Sequence, residues 1–313
     1  MNQNYIDTVR LLLAIAPAVF ASGRFAMKGG TALNLFVQEM PRLSVDIDLV
    51  FVDHRLDREA ALQVIASELA VVQAKLTSQG YRAHLPATAQ GDDVKLVVSN
   101  GAAQVKVEVN AVFRGTALPV EHHALVDSAQ NLFTTDLAVP VLATAELYGS
   151  KLDAAMDRQH PRDIFDGMHM LQRFGWQPEF IDCFVVYLAG HNRPVHEVLF
   201  PKTKPLEPAF SNEFTGMTRE AIELGTLVQW QARLLQELPQ QLTPSHRDFL
   251  LSLVRGDPAW ELMPMPHLRE LPALQWKLEN LTKLQKVSAE RFATQHQLLA
   301  RLFDSAPYPL STE

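Results

Sequence analysis

A short strand, a glycine pair opening a helix and a strand bearing two aspartates follow one another within about 25 residues, and no other feature constrains the fold as much. Phe25-Ala26-Met27-Lys28 reads as the first strand and runs into Gly29-Gly30. Thr31 to Glu39 then has helical character and is stopped by Pro41. Val45 to Val52 is β-branched and apolar at alternate positions, with Asp46 and Asp48 between them, so a second strand is expected there.

Residues two apart on a strand point to one face and lie about 7 Å apart. Asp46 and Asp48 therefore share a face with Ser44, while Val45, Ile47 and Leu49 turn toward the core. Paired carboxylates repel when partly buried, and a divalent cation relieves that cost. Magnesium favours one or two carboxylates combined with substrate phosphates. Solvated aspartates on an exposed strand are the plain alternative. Glu108 lies in Val105-Lys106-Val107-Glu108-Val109, a further strand candidate with a polar face. It becomes a third carboxylate of the same site if its strand neighbours that of Asp46, and is otherwise an ordinary outward side chain. Gly29-Gly30 at a helix start suits phosphate, because glycine permits close backbone approach and the first helical N–H groups are unsatisfied. The spacing matches neither a Walker A loop nor a dinucleotide fingerprint, and a simple strand-to-helix turn reads the same way.

Beyond this unit, Ile6 to Phe20 and Leu56 to Gly80 read as helices. Val94 to Ser99 and Gln104 to Val112 read as a hairpin around Asn100-Gly101. Leu118 to His122 and Thr134 to Val139 are further strand candidates. After Pro140 the pattern turns helical, with Pro140 expected in the first turn of a helix from Val141 to Asp157. Further helices are expected at Arg162 to Phe174, Glu179 to Ala189, Arg219 to Leu238, Pro244 to Val254 and Leu274 to Phe303, separated by irregular Pro-rich stretches at 200–214 and 257–272. An α/β half of about 140 residues thus precedes a mostly helical half, each of ordinary domain size.

The 313 residues are 47% hydrophobic and 20% charged, a globular balance. A net charge of -7 gives no general affinity for nucleic acid, although a local basic patch remains compatible with it. The lone cysteine, Cys183, excludes an intrachain disulfide and a cysteine-rich zinc site, and its apolar setting makes it a buried thiol. No leader-like or membrane-spanning pattern is read at Leu11 to Ala21, which Pro17 and Arg24 interrupt or end, so a cytoplasmic protein without membrane contact is expected.

Charged residues are dense around the next helices: Lys151, Asp153, Arg158, Arg162, Asp163 and Asp166. Lys151 and Arg158 stand two turns apart on one helix face. Arginine at such a place can bind phosphate in bidentate fashion. An interhelix salt-bridge network uses the same residues.

Lys28-Gly29-Gly30-Thr31-Ala32-Leu33 followed by Arg42-x-Ser44-x-Asp46-Ile47-Asp48-Leu49, and later Lys151, Arg158 and Arg162-Asp163-x-x-Asp166, together resemble the motifs of the AbiEii-type nucleotidyltransferase toxins of the DNA polymerase β-like superfamily. The resemblance spans about the first 175 residues. It implies an α+β fold: a nucleotidyltransferase mixed sheet with flanking helices over residues 1–139, then a helical domain over 140–313 that contributes Lys, Arg and Asp side chains to the active-site cleft. It implies transfer of a nucleoside monophosphate from a nucleoside triphosphate to an acceptor, with Mg2+ or Mn2+, in a toxin paired with an antitoxin or in phage defence. Some characterised relatives act on the 3′ end of tRNA. On this resemblance Asp46, Asp48, Lys151 and Asp163 are catalytic. Gly29, Gly30, Thr31, Ser44, Lys151, Arg158 and Arg162 bind nucleotide, and Asp46, Asp48 and Glu108 bind metal. Modification of a protein or small molecule, and a catalytically silent partner-binding module, are the competing readings.

Overall fold

The computed structural model describes residues 2–86 and 93–305. They belong to two compact units, one of Met1–Leu147 with Phe214–Ala221 and the other of Tyr148–Glu213 with Ile222–Glu313.

The strands of the first unit are Phe25–Lys28 (β1), Asp46–Phe51 (β2), Arg82–His84 (β3), Asp93–Ser99 (β4), Gln104–Asn110 (β5), Glu121–Ala124 (β6) and Ala138–Val141 (β7). They form a mixed sheet in the order β3-β4-β5-β2-β1-β7-β6. Its helices are Gln3–Val19 (α1), Gly29–Ala32 (α2), Arg58–Ser78 (α3) and Asp127–Phe133 (α4), and Thr144–Asp157 (α5) begins in it. Period-two alternation sorts the strand side chains. Phe25, Met27, Ile47, Leu49, Val107 and Val109 are fully buried, whereas Lys28, Asp46, Asp48 and Glu108 are half-buried. Each full burial of an apolar side chain contributes about 1.5–3 kcal/mol, so this alternation fixes the register. α3 is capped by the Asp57 carboxylate, which accepts from the Ala60 N–H. Its buried stripe of Ala61, Ile65, Leu69, Val72 and Leu76 accompanies packing against β3, β4 and α1. By length and composition α3 is the described helix that could also cross a membrane. In the β4–β5 hairpin Gly101 takes φ +92 and the Asn100 side-chain oxygen accepts from the Ala102 and Ala103 N–H groups, as Asn100-Gly101 predicts.

Several sequence expectations need correction. Pro140 is not in a helical first turn but inside β7, opposite His122 of β6. The flanking Val139 and Val141 are buried at alternate positions. That period outweighs the ladder bond Pro140 cannot donate, because β1 pairs with β7 only through Met27 and Val141. α5 consequently begins at Thr144. β6 and β7 lie a few residues later than the segments predicted, with α4 between them. The helix expected from Arg219 begins at Leu224. Residues before it return to the first unit: Thr218 bridges Arg42, the Leu43 N–H donates to Met217 O (2.9 Å) and the Arg219 N–H donates to Pro41 O (2.8 Å). This return segment clamps the turn that leads into β2.

The second unit continues α5 and adds Pro161–Phe174 (α6), Pro178–Gly190 (α7), Val195–Leu199 (α8), Glu207–Ala209 (α9), Leu224–Glu237 (α10), Pro244–Val254 (α11), Pro272–Val287 (α12) and Ala289–Ser305 (α13). Prolines open α6, α7, α11 and α12 at the first helical position, where a missing N–H costs nothing. Gly149 lets α7 approach α5, since a Cβ there would lie 2.5 Å from Cys183 Cβ and 2.6 Å from Phe184 N. Cys183 is buried in that contact. The single helix expected from Leu274 to Phe303 breaks at Ser288 (φ -155, ψ 89). The Ser288 hydroxyl accepts from the Arg291 N–H and Ser288 O from the Phe292 N–H, so the residue caps α13. The stretch 200–214 contains α9 and a short π-helix at Phe210–Phe214, and 257–272 contains two 3-10 turns at Trp260–Leu262 and Leu268–Glu270.

Candidate active site

In the first unit β2 lies between β1, antiparallel, and β5, parallel. Cα register sets Lys28, Asp48, Glu108 and Lys95 side by side across β1, β2, β5 and β4. Asp46 lies opposite Lys106. The row of charges on the polar face is therefore cation, two anions, cation, and the adjacency of the Asp48 and Glu108 strands is that which a third carboxylate would need. Lys95 Nζ is 3.1 Å from the Glu108 carboxylate.

The helix start completes the arrangement. Gly29 has φ +74, in the left-handed region, and a Cβ there would meet Asp48 Oδ2 at 2.3 Å. Its bare Cα thus allows the Asp48 carboxylate to sit against the opening of α2. A Cβ at Gly30 would lie 2.6 Å from Arg42 Nη2 and 3.0 Å from Ser44 Oγ. The Thr31 hydroxyl donates to the Asp46 carbonyl oxygen, locking α2 to β2. The Asn34 amide donates to Gly30 O at 2.9 Å. α2 runs on into a π-helix at Leu33–Val37, short of the expected end at Glu39. Gly29, Gly30, Thr31, Ser44, Asp46 and Asp48 are brought into one patch, with Ser44 and Thr31 buried.

Arg42 belongs to this patch and was not singled out as a site residue. It is 1% exposed, and Nη1 donates to Leu43 O at 2.9 Å. A buried guanidinium must be partnered. Its place two residues before Ser44 was the available signal, but the return segment that buries it is some 175 positions away in sequence.

Two half-buried carboxylates on one strand face, with that of Asp48 seated against the bare Cα of Gly29 at the opening of α2, fit a divalent cation whose other ligands are phosphate oxygens and water. Asp46 and Asp48 would hold it. Among the described residues no three His, Cys, Asp or Glu side chains come together as a ready-made cage, and Glu108 is engaged by Lys95.

In the second unit Lys151, Arg158, Asp163 and Asp166 form one network between α5 and α6. Lys151 Nζ lies 3.0 Å from Asp163 Oδ1 and 3.1 Å from Asp166 Oδ2, and Arg158 Nη2 lies 2.9 Å from Asp163 Oδ2. Lys151, Asp163 and Asp166 are buried, while the Arg158 side chain is 63% exposed. Burial pushes the Asp163 carboxyl up, but the Lys151 ammonium and Arg158 guanidinium outweigh it and hold the group below the usual carboxylate range. Arg162 lies apart from this network: its Nη2 is 3.8 Å from Glu213, which also contacts His160. His160 Nδ1 accepts from the Arg162 N–H and so caps α6.

Asp153, two residues after Lys151 on α5, is buried with Oδ1 lacking a hydrogen-bond partner. Burial, then the neighbouring Asp157, push its carboxyl up to about 8 against the attraction of Arg158 and Lys277. The folded pKa is raised above the unfolded value, so stability is complete below pH 3.8 and is lost as pH climbs toward about 8. Asp153→Asn is accordingly expected to be more stable than the parent at pH 7 by about 2–4 kcal/mol, with little difference at pH 4. Urea unfolding at the two pH values checks this, and a pH-independent difference would refute it.

The comparisons with known proteins agree with the fold. Residues 10–280 match the family "Nucleotidyl transferase AbiEii toxin, Type IV TA system". Among solved structures the chain resembles MenT4, a nucleotidyltransferase toxin from Mycobacterium tuberculosis H37Rv, with a TM-score of 0.57 and 19% identity over 87% of this chain and 91% of that one. At that identity the likeness is one of fold. No curated protein matches the sequence. The family match covers most of the chain, and the protein belongs to the AbiEii family of nucleotidyltransferase toxins of type IV toxin–antitoxin systems.

Proposed function

We propose that this toxin transfers a nucleoside monophosphate from a nucleoside triphosphate to the 3′ end of an RNA, with tRNA the leading acceptor, and that it needs Mg2+ or Mn2+. The observation that carries the reading is the pair Asp46 and Asp48 on one strand face, with Asp48 seated against the bare Cα of Gly29. Magnesium at these carboxylates would neutralise charge on the triphosphate and on the attacking oxygen. Asp46 and Asp48 would hold that ion from β2. The start of α2 offers N–H groups to phosphate, Ser44 Oγ lies beside Gly30, and Arg42 stiffens the turn between them. The acceptor hydroxyl attacks the α-phosphorus in line; its P–O bond forms as the bond to pyrophosphate breaks. The second unit offers Lys151, held by Asp163 and Asp166, with Arg158 and Arg162, as cationic side chains suited to phosphate. In this reading the toxin works in the cytoplasm against its own cell, restrained by a cognate antitoxin, with phage defence as the benefit.

Incubation of the protein with each of the four α-labelled nucleoside triphosphates, magnesium and total cellular RNA tests this directly. A labelled RNA band with one nucleotide is expected. Label appearing only in protein or small molecules would overturn the RNA assignment, and no transfer to any acceptor would overturn the metal–carboxylate site.

A further inference from the structure

The turn between α5 and α6 carries an unusual residue. Gln159 adopts φ +53 although it is not glycine, and its side chain is 2% exposed. Such a conformation is strained for a residue with a side chain and persists only where its surroundings demand it. What demands it here is the segment 201–205. The Gln159 amide donates to Lys202 O and accepts from the Lys204 N–H, both at 2.9 Å. Buried Gln231 of α10 donates to Gln159 Oε1 (2.7 Å) and to Lys204 O (2.9 Å). Lys204 Nζ donates to Asp157 O at the end of α5 (2.6 Å). A glutamine side chain thus serves this segment as a β-strand edge would. Pro201 and Pro205 stiffen its two ends.

The segment so held is Lys202-Thr203-Lys204, exposed at all three positions. Two buried amides, four hydrogen bonds and a left-handed glutamine are a large outlay of order for a polar surface stretch, and they make sense if its placement matters. Three of the nearby acids are already engaged, and Glu207, two residues beyond Pro205, is exposed. Asp157 pairs with Arg193 and His191, Glu213 contacts His160 and Arg162, and Asp163 pairs with Lys151 and Arg158. Neither Lys202 nor Lys204 has an ion-pair partner among the described residues, the Lys204 ammonium being tethered to the Asp157 carbonyl, and Arg158, paired with Asp163, stands one residue from Gln159 with its side chain largely exposed. A chain of net charge -7 therefore displays a local cationic edge.

We propose that the strap 201–205 grips the sugar–phosphate backbone of the RNA acceptor, with Lys202 and Lys204 on phosphates, Thr203 as a hydroxyl donor, and Gln159 and Gln231 as positioning residues. Lysines two apart on an extended segment lie about 7 Å apart in a line, which suits a linear polyanion carrying one charge per unit. Contacts of this kind fix position without reading sequence. The inference rests on the RNA reading given above and assigns the surface that holds the acceptor.

The test uses the full chain, fluorescein-labelled deacylated bulk tRNA and anisotropy across a sodium chloride series. Lys202→Ala/Lys204→Ala is expected to weaken binding at least tenfold at low salt. It should flatten the plot of log K against log salt by about 1.4, two phosphate contacts at roughly 0.7 each for single strands. Gln231→Leu, which keeps both lysines, is expected to weaken binding with the wild-type slope largely retained. If the double variant binds and labels tRNA as the parent does, the strap has no such role even though the RNA reading stands. If the parent neither binds nor labels tRNA yet modifies another acceptor, the RNA reading itself fails and the strap with it.

Discussion

Asp48→Asn is expected to lower nucleotide transfer at least about 10³-fold, some 4 kcal/mol of transition-state stabilisation, while the urea midpoint of unfolding stays close to that of the parent. Asparagine has nearly the shape of aspartate, so it keeps the fit against Gly29, where a single added carbon would already collide with Oδ2. What it removes is the negative charge that would hold the proposed cation beside Asp46. Single-turnover transfer measured over a magnesium series distinguishes this from damage to the fold. A variant that is folded and as active as the parent would exclude Asp48 from the metal site, and one rescued fully by high magnesium would make its role one of affinity alone.

Lys151→Ala should have the largest effect on stability, a loss of about 3–5 kcal/mol at pH 7. Its ammonium is 3.0 and 3.1 Å from two carboxylates that are themselves buried, and removing it leaves Asp163 and Asp166 short of their shared counter-charge. The exposed Arg158 remains paired with Asp163. Asp163 sits below the usual carboxylate range because burial is overcome by Lys151 and Arg158. In the parent, the stability this provides is present above the unfolded carboxylate range and is lost as pH falls through the lowered folded value. In the variant the carboxylates can relieve their repulsion by taking up a proton, so the penalty should shrink from pH 7 to pH 4. Replacing Lys151, Asp163 and Asp166 together with apolar residues should cost less than Lys151→Ala alone. If Lys151→Ala unfolds with the parental midpoint, the network is not the stabilising element of α5 and α6.

Local pattern carried much of this structure in the sequence. Period-two alternation at Val45 to Val52 set Asp46 and Asp48 on one face, whereas the adjacency of β2 and β5 that brings Glu108 level with Asp48 stood only as a condition until the sheet supplied it. Asn100-Gly101 marked the hairpin through turn chemistry alone. Long-range partners were not legible. Pro140 reads equally as a helix opener or a strand residue until β6 and β1 flank it. Ser288 looks like one polar position in a long helix unless its capping geometry is visible. Arg42 looks like any motif arginine until residues 214–221 close over the turn beside it. In the Lys151 cluster the residues were evident, but whether they served as a salt-bridge network depended on how α5 meets α6.

The clamp at Arg42 also bears on how the molecule can be divided. Because the chain leaves the sheet-bearing unit after residue 147 and comes back at 214–221, an amino-terminal fragment ending at Leu147 would contain every proposed metal ligand and still lack the strip that braces Ser44 and Gly30. Proteolytic nicking between the two passages would leave that strip held to the sheet by its hydrogen bonds and by the buried side chains of Phe214 and Met217, so the proposed site is written into two distant stretches of sequence that must both be synthesised before it is complete.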